Sequence, residues 1–279
     1  LYPVGGSTAT FESMGLTVLG RYRFNENLSV HAGARMVEID ADLFVRSLVR
    51  SPLVPFPTFG TYEAEFEPDR DLGYVVGVAY ERPDIALRVA LTYSSETEFE
   101  NDYTYRADTP GGPVAGSGTT TYTMPQSVNL DVRTGIAADT LLFGSVRWVD
   151  WSETVIELEN YGLPEGYPVV DYEGDYITYT LGIGRRFGER FAGSASILYE
   201  KGIASDFDAG TGEGGVSNLS PTDGQLALQL GGTYFVSDAM EVSGAIRYTR
   251  LGDATTERIG AVFEGNDALT VGLRIGYRF

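Results

Sequence analysis

The feature that most limits what this chain can become is an alternation that keeps returning. In the closing stretch 268–279, ALTVGLRIGYRF, Leu269, Val271, Leu273, Ile275, Tyr277 and Phe279 fall on one side of an extended strand. Thr270, Gly272, Arg274, Gly276 and Arg278 fall on the other, because successive strand side chains point to opposite faces. Two architectures satisfy such a strand. A water-soluble sandwich buries the apolar face against a second sheet. A transmembrane barrel turns that face to lipid and lines a wet lumen with the polar one.

The rest of the chain decides between them. The same period runs through 10–24, 28–45, 69–81, 85–106, 119–136, 140–160, 169–187, 191–208, 223–236, 240–255 and 267–279, eleven strands in all. Segment 46–67 holds Pro52, Pro55 and Pro57, with Pro68 just beyond, and is read as excluding a central strand, where a residue without an N–H breaks the ladder. Segment 107–118 reads as a Gly/Pro loop. Connections alternate between short turns, at 25–27, 82–84, 137–139, 188–190 and 237–239, and loops of eight residues or more. Short turns on one side and long loops on the other are the habit of outer-membrane barrels, whereas a sandwich mixes its connection lengths. Many strands exceed the ~9–11 residues that cross the hydrocarbon, so they are expected to project beyond the outer surface. The fold expected is all-β, an antiparallel transmembrane β-barrel forming one domain over 1–279. Eleven is odd, while single-chain bacterial barrels have even strand numbers; either one strand escapes the periodicity or the chain lacks its first strands.

Composition narrows the function. A net charge of −19 and a pI near 4.3 argue against nucleic acid, which needs a basic footprint. No run of 18 apolar residues occurs, so no membrane helix is expected. The absence of Cys removes disulfides and thiolate metal sites, and nothing calls for a cofactor or a metal. Glycine (35), tyrosine (18) and phenylalanine (14) suit strands and interfacial rings.

Two segments carry more than generic barrel character. Segment 124–152 reads MPQSVNLDVRTGIAADTLLFGSVRWVDWS and segment 21–35 reads RYRFNENLSVHAGAR. Through Pro125-x-Ser127, Trp148-Val149-Asp150-Trp151-Ser152 and Tyr22-x-Phe24-Asn25, the chain resembles the FadL family of outer-membrane transporters for long-chain fatty acids and related hydrophobic compounds. The resemblance runs from about residue 10 to the end and marks scaffold rather than substrate. It implies a fourteen-strand barrel with an amino-terminal plug, of which this chain shows the last eleven strands and no plug segment. It implies a location in the outer membrane of a Gram-negative bacterium, among its lipid and lipopolysaccharide, as a monomer.

The candidate ligand residues are Phe44, Leu53, Phe56 and Phe59, with Arg88 and Arg133. The first four belong to an apolar run, 43–59, expected on an outer loop, where an exposed apolar cluster reads either as a landing site for an acyl chain or as packing over the barrel mouth. The arginines are inward residues that either join a lumen ion-pair network or hold a carboxylate through a bidentate contact. Acids at 96–102, 153–159 and 171–175 read as a solvated rim, with divalent-cation bridging to lipopolysaccharide phosphates as the other reading. His31 is the only histidine; with no nucleophile motif beside it, no catalytic residue is assigned. Trp148 and Trp151 suit an interfacial girdle. The function expected is passive uptake of hydrophobic molecules, long-chain fatty acids first. Aromatic hydrocarbons are the alternative within the family, and a general porin or structural barrel the alternative outside it.

Overall fold

The computed structural model describes residues 7–49, 58–109, 111–161, 168–211, 213–217, 219–257 and 260–277. Its strands in chain order are β1 (Thr8–Arg23), β2 (Leu28–Val49), β3 (Thr58–Phe66), β4 (Asp69–Arg82), β5 (Leu87–Ser94), β6 (Thr97–Thr109), β7 (Gly112–Met124), β8 (Ser127–Ala137) and β9 (Thr140–Val149). They continue with β10 (Ile156–Glu157), β11 (Pro168–Val170), β12 (Tyr176–Phe187), β13 (Phe191–Glu200), β14 (Gln225–Phe235), β15 (Met240–Leu251), β16 (Ala254–Thr255), β17 (Val262–Phe263) and β18 (Asp267–Tyr277). Among the described residues no helix is long and apolar enough to cross a membrane, which says nothing of strands.

Among the described residues fourteen strands join one antiparallel sheet. Eleven of them lie side by side in the order β1-β2-β4-β5-β8-β9-β12-β13-β14-β15-β18, the spanning sheet. The other three, β3, β6 and β7, follow the far half of β2 in the order β2-β3-β6-β7 and form an outer sheet beyond the spanning one. The short connections fall between β1 and β2, β4 and β5, β8 and β9, β12 and β13, and β14 and β15. At the first, Asn25 Oδ1 accepts the N–H groups of Asn27 at 2.9 Å and Leu28 at 2.8 Å, a side-chain turn of the kind asparagine favours. Ala86 at φ 52° and Asp139 at φ 58° complete two others in the left-handed region.

Alternation in the spanning sheet sets two faces. Leu226, Leu228 and Leu230 look outward at 44%, 59% and 61% exposure, opposite Tyr199 and Ile197 on one side and Tyr248 and Ile246 on the other. Gln225, Ala227 and Gln229 look inward. Apolar outside and polar inside is the arrangement lipid demands of a closed sheet. Among the described residues β1 and β18 are its two edges. Both run from the loop side to the turn side, so antiparallel closure between them takes an odd number of strands.

Several boundaries differ from the sequence reading. Segment 46–67 does hold a central strand, β3, between β2 and β6. Its prolines flank Thr58–Phe66 rather than enter it, so the ladder keeps its N–H groups. The expected loop 107–118 is instead the tip of the β6–β7 hairpin, paired from Thr97↔Met124 to Thr109↔Gly112. The long strand 85–106 breaks at Ser95 and Glu96 into β5 and β6, and 119–136 breaks at Pro125 and Gln126 into β7 and β8. The reading of 140–160 as one strand also fails: β9 stops at Val149, and Trp151–Glu153 is a 3-10 turn. Phe279 and Arg278 lie outside the described residues.

Candidate functional site: lumen wall and outer cap

The inward face of β1 to β9 is rich in arginine, and one carboxylate organises its turn-side end. Glu81 takes Arg21 at 2.8 Å, Arg88 at 3.1 Å and Arg23 at 4.0 Å. Arg21 also reaches the buried Ser29 hydroxyl at 2.9 Å. Above this hub the His31 ring lies against Gly77, where a Cβ would collide with it, and Nε2 sits 3.2 Å from the Thr92 hydroxyl. Arg88 and Arg133 are direct cross-strand partners on β5 and β8. Arg88 ends on Glu81; Arg133 ends on no carboxylate among the described residues. Nearer the outer end Arg147 donates to Asn129 Oδ1 at 3.2 Å, and Arg35 stands on β2 opposite Gly73. Among the described residues neither ends on a carboxylate.

The wall from β12 to β18 is built differently. Gly184, Ser194 and Gly231 replace large side chains, and the Phe143 ring of β9 lies over Gly182. Gly184, Ser194 and Gly231, together with the turn 83–86, bound a cavity of about 760 Å³ at the turn-side end. Arg186 stacks over the Phe235 ring at 4.7 Å at its rim.

Beyond the spanning sheet the polarity reverses. On β2 the outward residues change from Val30, Ala32, Ala34 and Met36 to Glu38, Asp40 and Asp42, and the inward ones from Ser29, His31 and Arg35 to Val37, Ile39 and Leu43. The inner face of the outer sheet is thus a buried apolar layer. Ile39 and Phe99 are fully buried with Val37 and Tyr122. Leu43, Tyr62, Ala64, Tyr103, Tyr105 and Ala107 form a second cluster that Leu158 and Val169 close from the lumen side. Burial pushes the Tyr62, Tyr103 and Tyr122 phenols up from their usual range, with neighbouring phenols adding to the effect at Tyr62. The outward face carries Glu63, Glu65, Glu98, Glu100 and Asp102, all exposed, and among the described residues no acidic group is arranged to hold a metal ion.

The candidate residues from sequence are dispersed by this geometry. Phe44 lies half-buried on β2 between Thr8 and Glu63, on the acidic outward side rather than with Leu43 in the aromatic layer. Leu53 and Phe56 lie outside the described residues; Phe59 is in β3 opposite Leu48. Arg88 and Arg133 are direct partners on β5 and β8, on strands other than those that carry Phe44 and Phe59. The aromatic set Tyr62, Tyr103, Tyr105 and Leu158 was missed. The alternation Phe99, Tyr103, Tyr105 against Glu98, Glu100, Asp102 carried the signal, since acids on one face mark water there and so a core on the other.

The motif residues have a structural task. Tyr93 Oη donates to Gln126 Oε1 at 2.9 Å and Gln126 Nε2 to Asp150 at 2.9 Å. The Ser152 hydroxyl joins Asp150 at 3.1 Å to Asp175 at 3.0 Å, and the Trp148 indole donates to Asp175 at 2.9 Å. This chain of bonds runs along the ends of β5, β8, β9 and β12, where spanning sheet and cap meet.

An antiparallel sheet, apolar outward and arginine-lined inward, defines a transmembrane β-barrel wall of the bacterial outer membrane. The model of the outer membrane protein transport protein family (OMPP1/FadL/TodX) matches residues 4–159, more than half of the chain, and the chain belongs to that family. No curated protein matches the sequence. Solved structures similar to it include a FadL homologue of Pseudomonas aeruginosa, at 16% identity and TM-score 0.72, over 96% of this chain and 66% of that one. The CymD monoaromatic hydrocarbon channel follows at 17% and 0.63, over 88% and 70%. The toluene transporter TbuX of Ralstonia pickettii follows at 13% and 0.62, over 87% and 64%. The chain thus spans about two thirds of the length of these structures. The family consists of transport proteins rather than enzymes.

Proposed function

We propose that the chain forms the wall and cap of a channel for passive uptake of hydrophobic molecules carrying a carboxylate, long-chain fatty acids foremost. The observation that supports the carboxylate is the set of inward arginines: Arg133 stands directly opposite Arg88, and Arg35, Arg133 and Arg147 end on no acid among the described residues. Like charges held near one another are destabilising, and a carboxylate between them offsets that cost with charge-assisted hydrogen bonds. Arg35 and Arg147 supply a second station nearer the outer end. The apolar run with Phe44, Leu53, Phe56 and Phe59 receives the acyl chain. The channel works as a monomer among outer-membrane lipid and lipopolysaccharide.

Oleate titrated against wild type, Arg35→Gln/Arg147→Gln and Arg133→Gln tests this. The double variant should bind oleate about tenfold more weakly, the worth of a charge-assisted hydrogen bond, and bind hexadecane as before. Equal loss for both ligands, or none, removes the carboxylate clamp. The second reading, uptake of neutral aromatic hydrocarbons, is favoured by the tyrosine layer under the cap and then stands alone.

A further inference from the structure

The outer sheet ends on β7, the last strand in the order β2-β3-β6-β7. Its pairing with β6 keeps one register from Thr97↔Met124 to Thr109↔Gly112, so the direction of each backbone group follows from its place. The Gly112 carbonyl points to β6, where the Thr109 hydroxyl donates to it at 2.7 Å. The Thr123 carbonyl points the other way and accepts the Thr154 hydroxyl at 2.8 Å. Asp102, opposite Thr119, agrees: its carbonyl turns away from β7 to the Glu67 N–H. Such directions alternate along an antiparallel strand. Thr121, Thr119, Ser117 and Ala115 therefore turn their N–H and C=O groups away from β6, and among the described residues no group bonds them there. Natural sheet edges are blunted by charge, proline, a bulge or a covering segment. Segment 112–124 has no charged residue, its one proline stands at the start, and its register has no shift. Segment 155–159 runs beside the edge without joining it; its ladder bonds go to β11. Between the two lies a cleft of about 490 Å³, with Thr119, Thr120 and Thr121 on one wall and Val155, Glu157 and Glu159 on the other.

We propose that the 115–121 edge of β7 is a docking site for an extended, basic segment of a partner protein, which adds to the outer sheet as one more strand. Strand addition draws affinity from main-chain bonds and specificity from alternate side chains. Four residues of this edge each offer a donor and an acceptor. The charge around the edge selects the occupant. On the water face of β6, Glu98, Glu100 and Asp102 stand opposite Thr123, Thr121 and Thr119. Glu157 and Glu159 stand across the cleft, and all five side chains are exposed. Arg106, opposite Ala115, is the one cation of β6. A strand lying in the cleft thus has carboxylates to either side, which suit lysine and arginine at its alternate positions and steer them in. A second copy of this chain fits less well, because its own β7 edge is uncharged and flanked by the same acids. This use of the cap involves neither the lumen nor its arginines, so it stands or falls apart from the channel reading.

A short fluorescein-labelled peptide of alternating lysine and valine, titrated against the full chain in phosphatidylcholine nanodiscs and followed by anisotropy, tests the edge. The same sequence built from N-methylated residues keeps the charge but offers no N–H, and should bind about tenfold more weakly. Ser117→Pro with Thr119→Pro removes two N–H groups that the β6 ladder does not use, a place where edge strands tolerate proline. It should weaken binding of the unmethylated peptide about tenfold. Glu157→Gln with Glu159→Gln should weaken it less and reduce its dependence on salt. Hydrogen exchange should show the amides of Ala115, Ser117, Thr119 and Thr121 unprotected in the free chain and protected with peptide, while those of Gly116 and Gly118 are protected throughout by β6. Equal affinity for the two peptides would reduce the effect to charge attraction and overturn the proposal, as would no binding of either. That comparison uses the wild type, so it decides the matter should the proline variant fail to fold. Edge amides already protected in the free chain, whether by a second copy or by a segment of the same chain, would also overturn it.

Discussion

Strands β1 to β8 and strands β9 to β18 answer the same boundary in opposite ways. In the first half the chain crosses it and turns its polarity inside out. β2 runs 22 residues, and β3–β4, β5–β6 and β7–β8 each continue past a break. In the second half β9, β12, β13, β14, β15 and β18 stop after 10 to 12 residues, close to the ~9–11 that the hydrocarbon requires. Their outer segments pair with one another instead, Ser217 donating to the Val169 carbonyl at 3.0 Å and Val216 bridging to Thr256. The difference shows what sets polarity in such a wall. Where the surroundings are lipid, outward residues are apolar; where they are water, outward residues are acids and the core moves to the inner face.

The breaks let one strand serve both environments. At 67–68 the chain has Pro68, yet its backbone is not left unpaired: the Asn101 amide donates to the Glu67 carbonyl at 2.7 Å, and the Glu67 N–H donates to the Asp102 carbonyl at 2.8 Å. At 95–96 the Ser95 hydroxyl accepts the Tyr74 N–H at 2.9 Å. Asp71 and Asp69 accept the N–H groups of Glu98 and Glu100 at 2.8 and 2.9 Å. Each joint pairs its backbone groups through side-chain bonds as well as backbone ones, as buried backbone groups require.

The largest expected effect separates the two regions. Phe99 is fully buried, stacked on Tyr122 with centroids 5.8 Å apart. Phe99→Ala should cost the outer sheet ~3–5 kcal/mol. Hydrogen exchange should show β6 and β7 losing protection while β12 to β15 keep theirs. Equal loss in both would mean that cap and spanning sheet open as one unit.

Next comes a test of polarity. Leu228→Arg, on the lipid face of β14, should cost ~2–4 kcal/mol. Glu100→Arg, on the outward face of β6, should fall within ~0.5 kcal/mol of wild type. Urea unfolding from lipid vesicles measures both. Similar costs would show that the outward faces of the two sheets do not meet different surroundings.

How much of this was legible in the sequence follows from where periodicity is reliable. The eleven spanning strands, their turns and their faces were readable, because alternation such as Leu226, Leu228, Leu230 against Gln225 and Gln229 continues for a full crossing. The outer sheet was not, for two reasons. Pro57 and Pro68 made 46–67 look like a loop although Thr58–Phe66 between them is free of proline, and the glycines of β7 looked like flexibility although two of them serve as floors for tyrosine rings. The arginine positions could be read as inward, but not their partners. That Arg88 ends on Glu81 follows from the register of the β4–β5 hairpin, where the two are direct partners, and period two alone does not encode register.

The smallest effect concerns the joint itself, where the motif residues meet. Burial works to raise the Asp175 carboxyl, but donation from the Trp148 indole and from Ser152 outweighs it and holds the group below the usual carboxylate range. A carboxyl depressed in the folded state stabilises it above the ordinary value, near ~pH 4, and that stability is lost as pH falls through the lower folded value. Both tryptophans of the chain, Trp148 and Trp151, stand at this joint, so tryptophan fluorescence reports on it directly. Asp175→Asn should lower stability by ~1 kcal/mol at neutral pH, the worth of an ordinary hydrogen bond, because the amide oxygen still accepts from the indole but without charge. Its fluorescence-monitored unfolding should then change less than that of wild type between pH 6 and pH 3. An unchanged acid slope would assign the sensitivity of this boundary to the other carboxylates of the rim, and would make the cap's attachment to β9 and β12 independent of charge.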